Sequence, residues 1–148
     1  GGTNMGLLGK FFGNAPAKKP TDDILLLHAM MLMSSIDGYL EGSEVATLEA
    51  FINTLPEFKE ADFDAQMAAA KKLRAKFEKP QDAVKALAEI SSDAVRKKTF
   101  VLAADIAMSS GDIDESEEEL LEAMQRVLNI DDALANKIIE VLALKYAK

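Results

Sequence analysis

The chain has 148 residues, a formal net charge of −8, 49% apolar residues, one histidine, and no cysteine or tryptophan. That length supports one domain with a buried core. Without cysteine there are no disulfides, thiolate metal sites or cysteine nucleophiles, and a lone histidine cannot build a conventional zinc site. The acidic balance argues against nucleic acid as a partner, because phosphate binding wants a basic surface. No apolar run is long enough to span a bilayer, and the absence of cysteine suits a reducing, cytoplasmic compartment.

The charges are segregated. Residues 20–58 hold seven acids and residues 99–125 hold eight, and neither window contains Lys or Arg. Ten of the seventeen basic residues fall in 59–98. Solubility and helix-dipole preference account for part of this pattern, and a negative potential that draws cations accounts for it as well.

In chain order, "GGTN" precedes Met5 and is read as an addition. Residues 1–20 form a tail ahead of a domain at 21–148. Within the tail, "GLLGKFF" is too short for a secretory signal and lacks a cleavage pattern. Leu7, Leu8, Phe11 and Phe12 with three lysines allow a weak peripheral membrane contact through residues 7–12, at the inner face of the membrane. Thr21 reads as an N-cap followed by Asp22 and Asp23. The next stretch, "ILLLHAMMLM", is apolar on nearly every face, so the first helix should be central and buried. In that setting His28 is expected to be a hydrogen-bonded core residue, and Met30, Met31 and Met33 core packing.

A second helix is expected from a Ser43 cap to about Leu55, a third from about Ala61 to Phe77, and a fourth from Pro80 to about Ile90. Lys71, Lys72, Arg74 and Lys76 read as a solvated face of the third. The fifth runs from about Ala94 to Met108. Ser116 is expected to cap the sixth, with Glu119 completing a capping box. Asp131 caps the seventh, whose Ile138, Ile139, Val141, Leu142 and Leu144 supply an apolar face. No alternating β-branched runs occur, so the reading is an all-α, single-domain helical bundle of about seven helices.

Residues 29–55 slide onto 102–128 without a gap. Gly38 meets Gly111, Leu40 meets Ile113, Ser43 meets Ser116, Glu44 meets Glu117 and Leu48 meets Leu121. This predicts an internal pseudo-two-fold repeat of helix hairpins, which could bring two acidic turns close together. Each turn has a local logic: glycine relieves a positive φ, the aliphatic residue plugs the core, and acids beside the helix N-terminus are stabilising by about 0.3–1 kcal/mol each. Asp105 is not explained that way. It sits in "FVLAADIAMSS", where a buried carboxylate needs a hydrogen-bond partner or a cation. An EF-hand reading from Asp112 fails, because position 6 is Glu117 and position 12 is Ala123.

The two turns, "DGYLEGSE" at 37–44 and "SGDIDESE" at 110–117, together with the helical "DIA" before the second, resemble the TerB-like family, named for tellurite resistance. The family also includes the N-terminal domain of certain membrane-anchored co-chaperones. The resemblance covers about residues 21–146. It implies an α-helical bundle with internal two-fold similarity, and a divalent cation bound by acids at the turns. Position by position it marks Asp37, Glu44, Asp105 and Glu117. Ser110 stands where the second motif's leading acid belongs, and Asp112 is the residue able to substitute. Carboxylate ligands would suit calcium or magnesium better than zinc. The expected function is non-catalytic: a divalent-cation-linked stress or tellurite-response domain. The alternative is a metal-independent interaction module whose acidic face docks a basic protein partner.

Overall fold

A computed structural model of the chain describes residues 20–36, 42–59, 62–109 and 111–148; for 42–44 it describes the backbone alone. The expectations placed on residues 1–19, Asp37, Gly38, Leu40 and Ser110, and on the side chains of Ser43 and Glu44, lie outside these residues. Seven α-helices are described: α1 (Asp22–Ser34), α2 (Gly42–Ile52), α3 (Phe63–Arg74), α4 (Pro80–Ala83), α5 (Asp93–Ser109), α6 (Glu115–Leu128) and α7 (Asp132–Lys145). Two 3₁₀ turns, Pro56–Phe58 and Val84–Glu89, complete the set, and no strand occurs among the described residues.

The all-round apolar character of α1 sets the arrangement. Residues 25–33 are all buried, so every side of this helix needs a neighbour. α5 and α3 take the largest shares, and α2, α6 and the second 3₁₀ turn close the rest. The core divides about α1. Leu25, Ala29, Leu32 and Met33 face α5, α6 and the second 3₁₀ turn. Leu26, Leu27, Met30 and Met31 face α2, α3 and Leu102. The buried methionines are core packing, as their sequence context implied.

Polar ties fix the ends. Thr21 caps α1 by accepting from the Ile24 N–H at 3.3 Å. The Asp22 carboxylate accepts from the N–H groups of Ser91 and Ser92 at 3.0 and 3.1 Å, joining the start of α1 to the start of α5. Lys98 on α5 pairs with Glu57 at 2.7 Å, pinning the first 3₁₀ turn. His28 is fully buried, and its Nε2 donates to the Ala83 carbonyl at 2.9 Å. It is therefore a hydrogen-bonded core histidine, and its Nδ1 has no partner.

Four of the expected helices differ in extent from the sequence reading. The second helix ends at Ile52 and the third is shortened to Phe63–Arg74, with Asp62 as its cap. The expected fourth helix is one α-turn followed by six residues of 3₁₀. Its buried residues Val84, Leu87 and Ile90 recur every three positions, which suits a helix of three residues per turn. The sixth helix begins two residues early: Asp114, not Ser116, is the cap, and its capping box is closed by Glu117, not Glu119. Both pairs have the same spacing, and the earlier one adds two residues to the helix. Gly111 sits at φ +93°, the positive-φ backbone expected of a turn glycine. α2 and α6 start at Gly42 and Glu115, the same 73-residue offset as the sequence repeat. Equal crossing geometry of the two hairpins is the test of that repeat.

Burial pushes the His28 imidazole below its ordinary pKa of 6.5, more than the Ala83 hydrogen bond raises it. A depressed pKa contributes stability that is full above 6.5 and is lost as pH falls through the folded value. His28→Gln retains an N–H for Ala83 but does not titrate. Urea unfolding on either side of pH 6.5 should show wild type losing more stability on acidification than the variant.

Candidate functional site

Asp105 lies on the α5 face that meets α7, and it is only 8% exposed. The neighbouring α5 residues Leu102, Ala103 and Ala104 are buried apolar groups, so this carboxylate cannot rely on water. It sits in a polar cluster, one of the two outcomes its sequence context allowed. The partners come from the C-terminal turn. Lys145 Nζ donates to Oδ2 at 2.8 Å and to Oδ1 at 3.1 Å. The Tyr146 hydroxyl donates to Oδ1. The ammonium also lies 5.8 Å from the centre of the Phe51 ring, so α2, α5 and α7 meet there. Lys145 is half exposed, which lets its head keep part of its hydration while the stem covers apolar surface.

The electrostatics follow from this contact. The hydrogen bond to Asp105 raises the Lys145 pKa above its ordinary 10.5. Burial, followed by the hydrogen bond to Asp105, raises Tyr146 above 10.0. The C-terminal turn thus supplies positive charge and a hydroxyl to this carboxylate.

Of the other acids marked in the sequence, Asp112 and Glu117 lie among the described side chains. Asp112 is exposed in the loop before α6. Glu117, half-buried in the first turn of α6, accepts from the Asp114 N–H through Oε1 at 3.2 Å, and its own N–H donates to Asp114 at 2.8 Å. Part of the acidity at this turn is therefore helix capping. Among the described residues, no three acidic or histidine side chains converge as a metal site would require. Ile36, the residue before Asp37, lines a cavity of ≈ 280 Å³ together with Ser116 and Glu119 of α6.

Lys145 and Tyr146 were not identified from sequence, although a buried acid at position 105 requires a cationic partner somewhere in the chain. The apolar face expected on α7 is only partly used. Leu142 is buried and Ile138 and Ile139 are half-buried, but Val141 is 63% and Leu144 77% exposed. α7 packs chiefly on α5, so the stripe turned away from α5 has no covering helix among the described residues.

Lys145→Met should destabilise the fold by about 1–3 kcal/mol, toward the low end because the ammonium is half exposed. Adding Asp105→Asn should recover part of that loss, with a coupling of about 0.5–3 kcal/mol in a double-mutant cycle read by urea unfolding. The pH dependence has a definite sign. Raised pKa values at Lys145 and Tyr146 contribute stability that is full below about pH 10 and lost as pH rises through the folded values. Lys145→Met combined with Tyr146→Phe should flatten this alkaline decline.

No helix of the described residues is long and apolar enough to cross a membrane. Comparison with curated proteins and with solved structures finds no match. The family model described as "Tellurite resistance protein TerB" matches residues 24–139, from the first turn of α1 to the middle of α7, and so takes in both acidic turns and Asp105. With its all-α architecture and this match over most of its length, the chain belongs to the TerB family.

Proposed function

We propose that this domain acts by binding, not by turnover, and that it holds a divalent cation through the acids of its two turns. The observation that supports this is the shared cavity: Ile36 at the edge of the first turn lines it with Ser116 and Glu119 after the second. Carboxylates of Asp37 and Glu44 from one turn, with Asp112 and Glu117 from the other, would supply hard oxygen ligands suited to calcium or magnesium. Asp105 does not fit as a ligand, because Lys145 and Tyr146 engage its oxygens. Its role in this reading is to hold α7 against α5. The cation-linked state would serve a stress or tellurite response in the cytoplasm.

A second reading is favoured by a separate observation. A groove beside α6 is lined by Glu119 and Glu122 together with Lys85 and Arg126, and the two glutamates have no ion-pair partner among the described residues. In that reading the domain is a metal-independent interaction module whose acidic face docks a basic partner.

Cation binding should raise Tm at fixed ionic strength, by an increment equivalent to about 2.7 kcal/mol at a hundredfold excess over Kd. Backbone chemical-shift changes should be confined to residues 37–44 and 112–117. Asp37→Asn and Glu117→Gln should weaken the response, whereas Asp105→Asn should lower stability and leave the response in place. A Tm indifferent to millimolar calcium and magnesium would remove the cation reading and leave the interaction module.

A further inference from the structure

Two adjoining cavities, ≈ 280 and ≈ 450 Å³, share Glu119 and Ala123 and form one groove between α6 and the α4–3₁₀ segment. Its charges are ordered along α6. Among the described residues, Glu119 is the only charged one lining the smaller cavity, which reaches Ser116 near the start of the helix. Lys85 and Arg126 line only the larger cavity, toward the end of the helix, where Glu122 joins them. Ala123, small and half-buried, lies where the two cavities meet.

Glu119 and Arg126 are seven residues apart, so they share one stripe of α6. Two turns of helix separate them by about 10 Å. Both are exposed, and neither has an ion-pair partner among the described residues. An acidic occupant would be repelled by Glu119, and a basic one by Arg126 and Lys85, so the groove selects neither sign alone. It selects a surface that carries the same two charges in the reverse order. A second α6 laid antiparallel has that order. We infer that two copies of this chain dock antiparallel through α6, about a two-fold axis beside Ala123, with Glu119 of each copy facing Arg126 of the other. This makes a second copy the partner in the interaction-module reading, and it rests on that reading, not on the cation.

The register follows from the spacing. Halfway between Glu119 and Arg126 the helix presents Glu122 and Ala123. A two-fold axis there forms both Glu119–Arg126 pairs at once, because an isologous contact repeats every interaction. The small Ala123 side chain lets the two helices approach closely at the axis. Glu122 also comes near the axis, in the part of the groove where Lys85 and Arg126 supply positive charge. The net charge of −8 opposes self-association at long range. At physiological salt the Debye length is about 8 Å, which screens repulsion between the bodies more than it weakens pairs in contact. The fourteen residues of α6 span about 21 Å. A contact of that length belongs with small, transient interfaces that bury less than about 1,200 Å².

Sedimentation velocity of the full chain at about 0.15 M salt should show a reversible dimer that grows with concentration. The amide signals of Glu119, Ala123 and Arg126 should shift over the same range. Glu119→Arg alone and Arg126→Glu alone should each weaken association by about tenfold or more, because each sets like charges opposite one another twice. Mixing the two variants should restore it, since every 119–126 contact in the mixed dimer again joins unlike charges. That recovery also shows that both variants fold. A dimer that ignores both reversals, a mixture no tighter than the separate variants, or a dimer lost on Val141→Ser with Leu144→Ser would overturn the inference. If the chain stays monomeric but an added oligolysine peptide shifts the groove amides, the inference fails and the interaction-module reading stands. If neither self-association nor peptide binding is seen, both fail.

Discussion

A helix that is apolar on every side is the constraint around which this molecule is organised. Ordinary amphipathic helices need one covered face, but α1 buries nine consecutive residues and needs neighbours all round. The surrounding helices meet that need from two sides, and the core divides into two clusters with α1 between them. The price is that polar groups entering this region must be satisfied locally. His28 donates to Ala83, and Asp22 collects the N–H groups that the turn before α5 presents. Truncating a large α1 side chain would leave a cavity bordered by several elements at once, the situation in which Leu→Ala changes cost about 2–5 kcal/mol.

Asp105 shows how the fold satisfies an acid on a buried helix face. A carboxylate on a buried helix face requires a counter-charge, and a divalent cation or an ammonium can supply it. Here the last helix brings Lys145 and Tyr146 to it. The ion pair gives α7 a fixed register against α5, although that helix leaves Val141 and Leu144 exposed. Cation binding, as proposed, then falls to the carboxylates of the two turns.

The capping geometry of α6 explains why acidity alone is a poor guide to a site. Glu117, a candidate ligand in the sequence reading, is the closing member of a capping box. Its hydrogen bond to the Asp114 N–H would exist with or without a metal. Glu119 and Glu122 belong to the same acidic run but lie along the groove. One short stretch of sequence therefore contributes to helix capping, to a proposed ligand set and to a docking rim, according to which side of α6 each residue occupies.

The sequence by itself determined the all-α class, the central burial of α1, the core role of His28, the Thr21 and Asp131 caps and the family, because these follow from periodicity, local hydrogen bonding and short motifs. Only the tertiary structure decided the partners of Asp105, since Lys145 is 40 residues away and nothing local specifies that distance. It also decided that the Val84–Ile90 stripe winds as 3₁₀, because the three-residue spacing gains meaning only once α1 and α6 define which side is buried. The choice of Asp114 over Ser116 as the cap was of the same kind: two equivalent local signals lay two residues apart, and the path of the chain after α5 selected one. What the sequence could mark at the acidic turns was residue type. Which of those acids meet, and which are already engaged, depends on the packing of helices far apart in the chain.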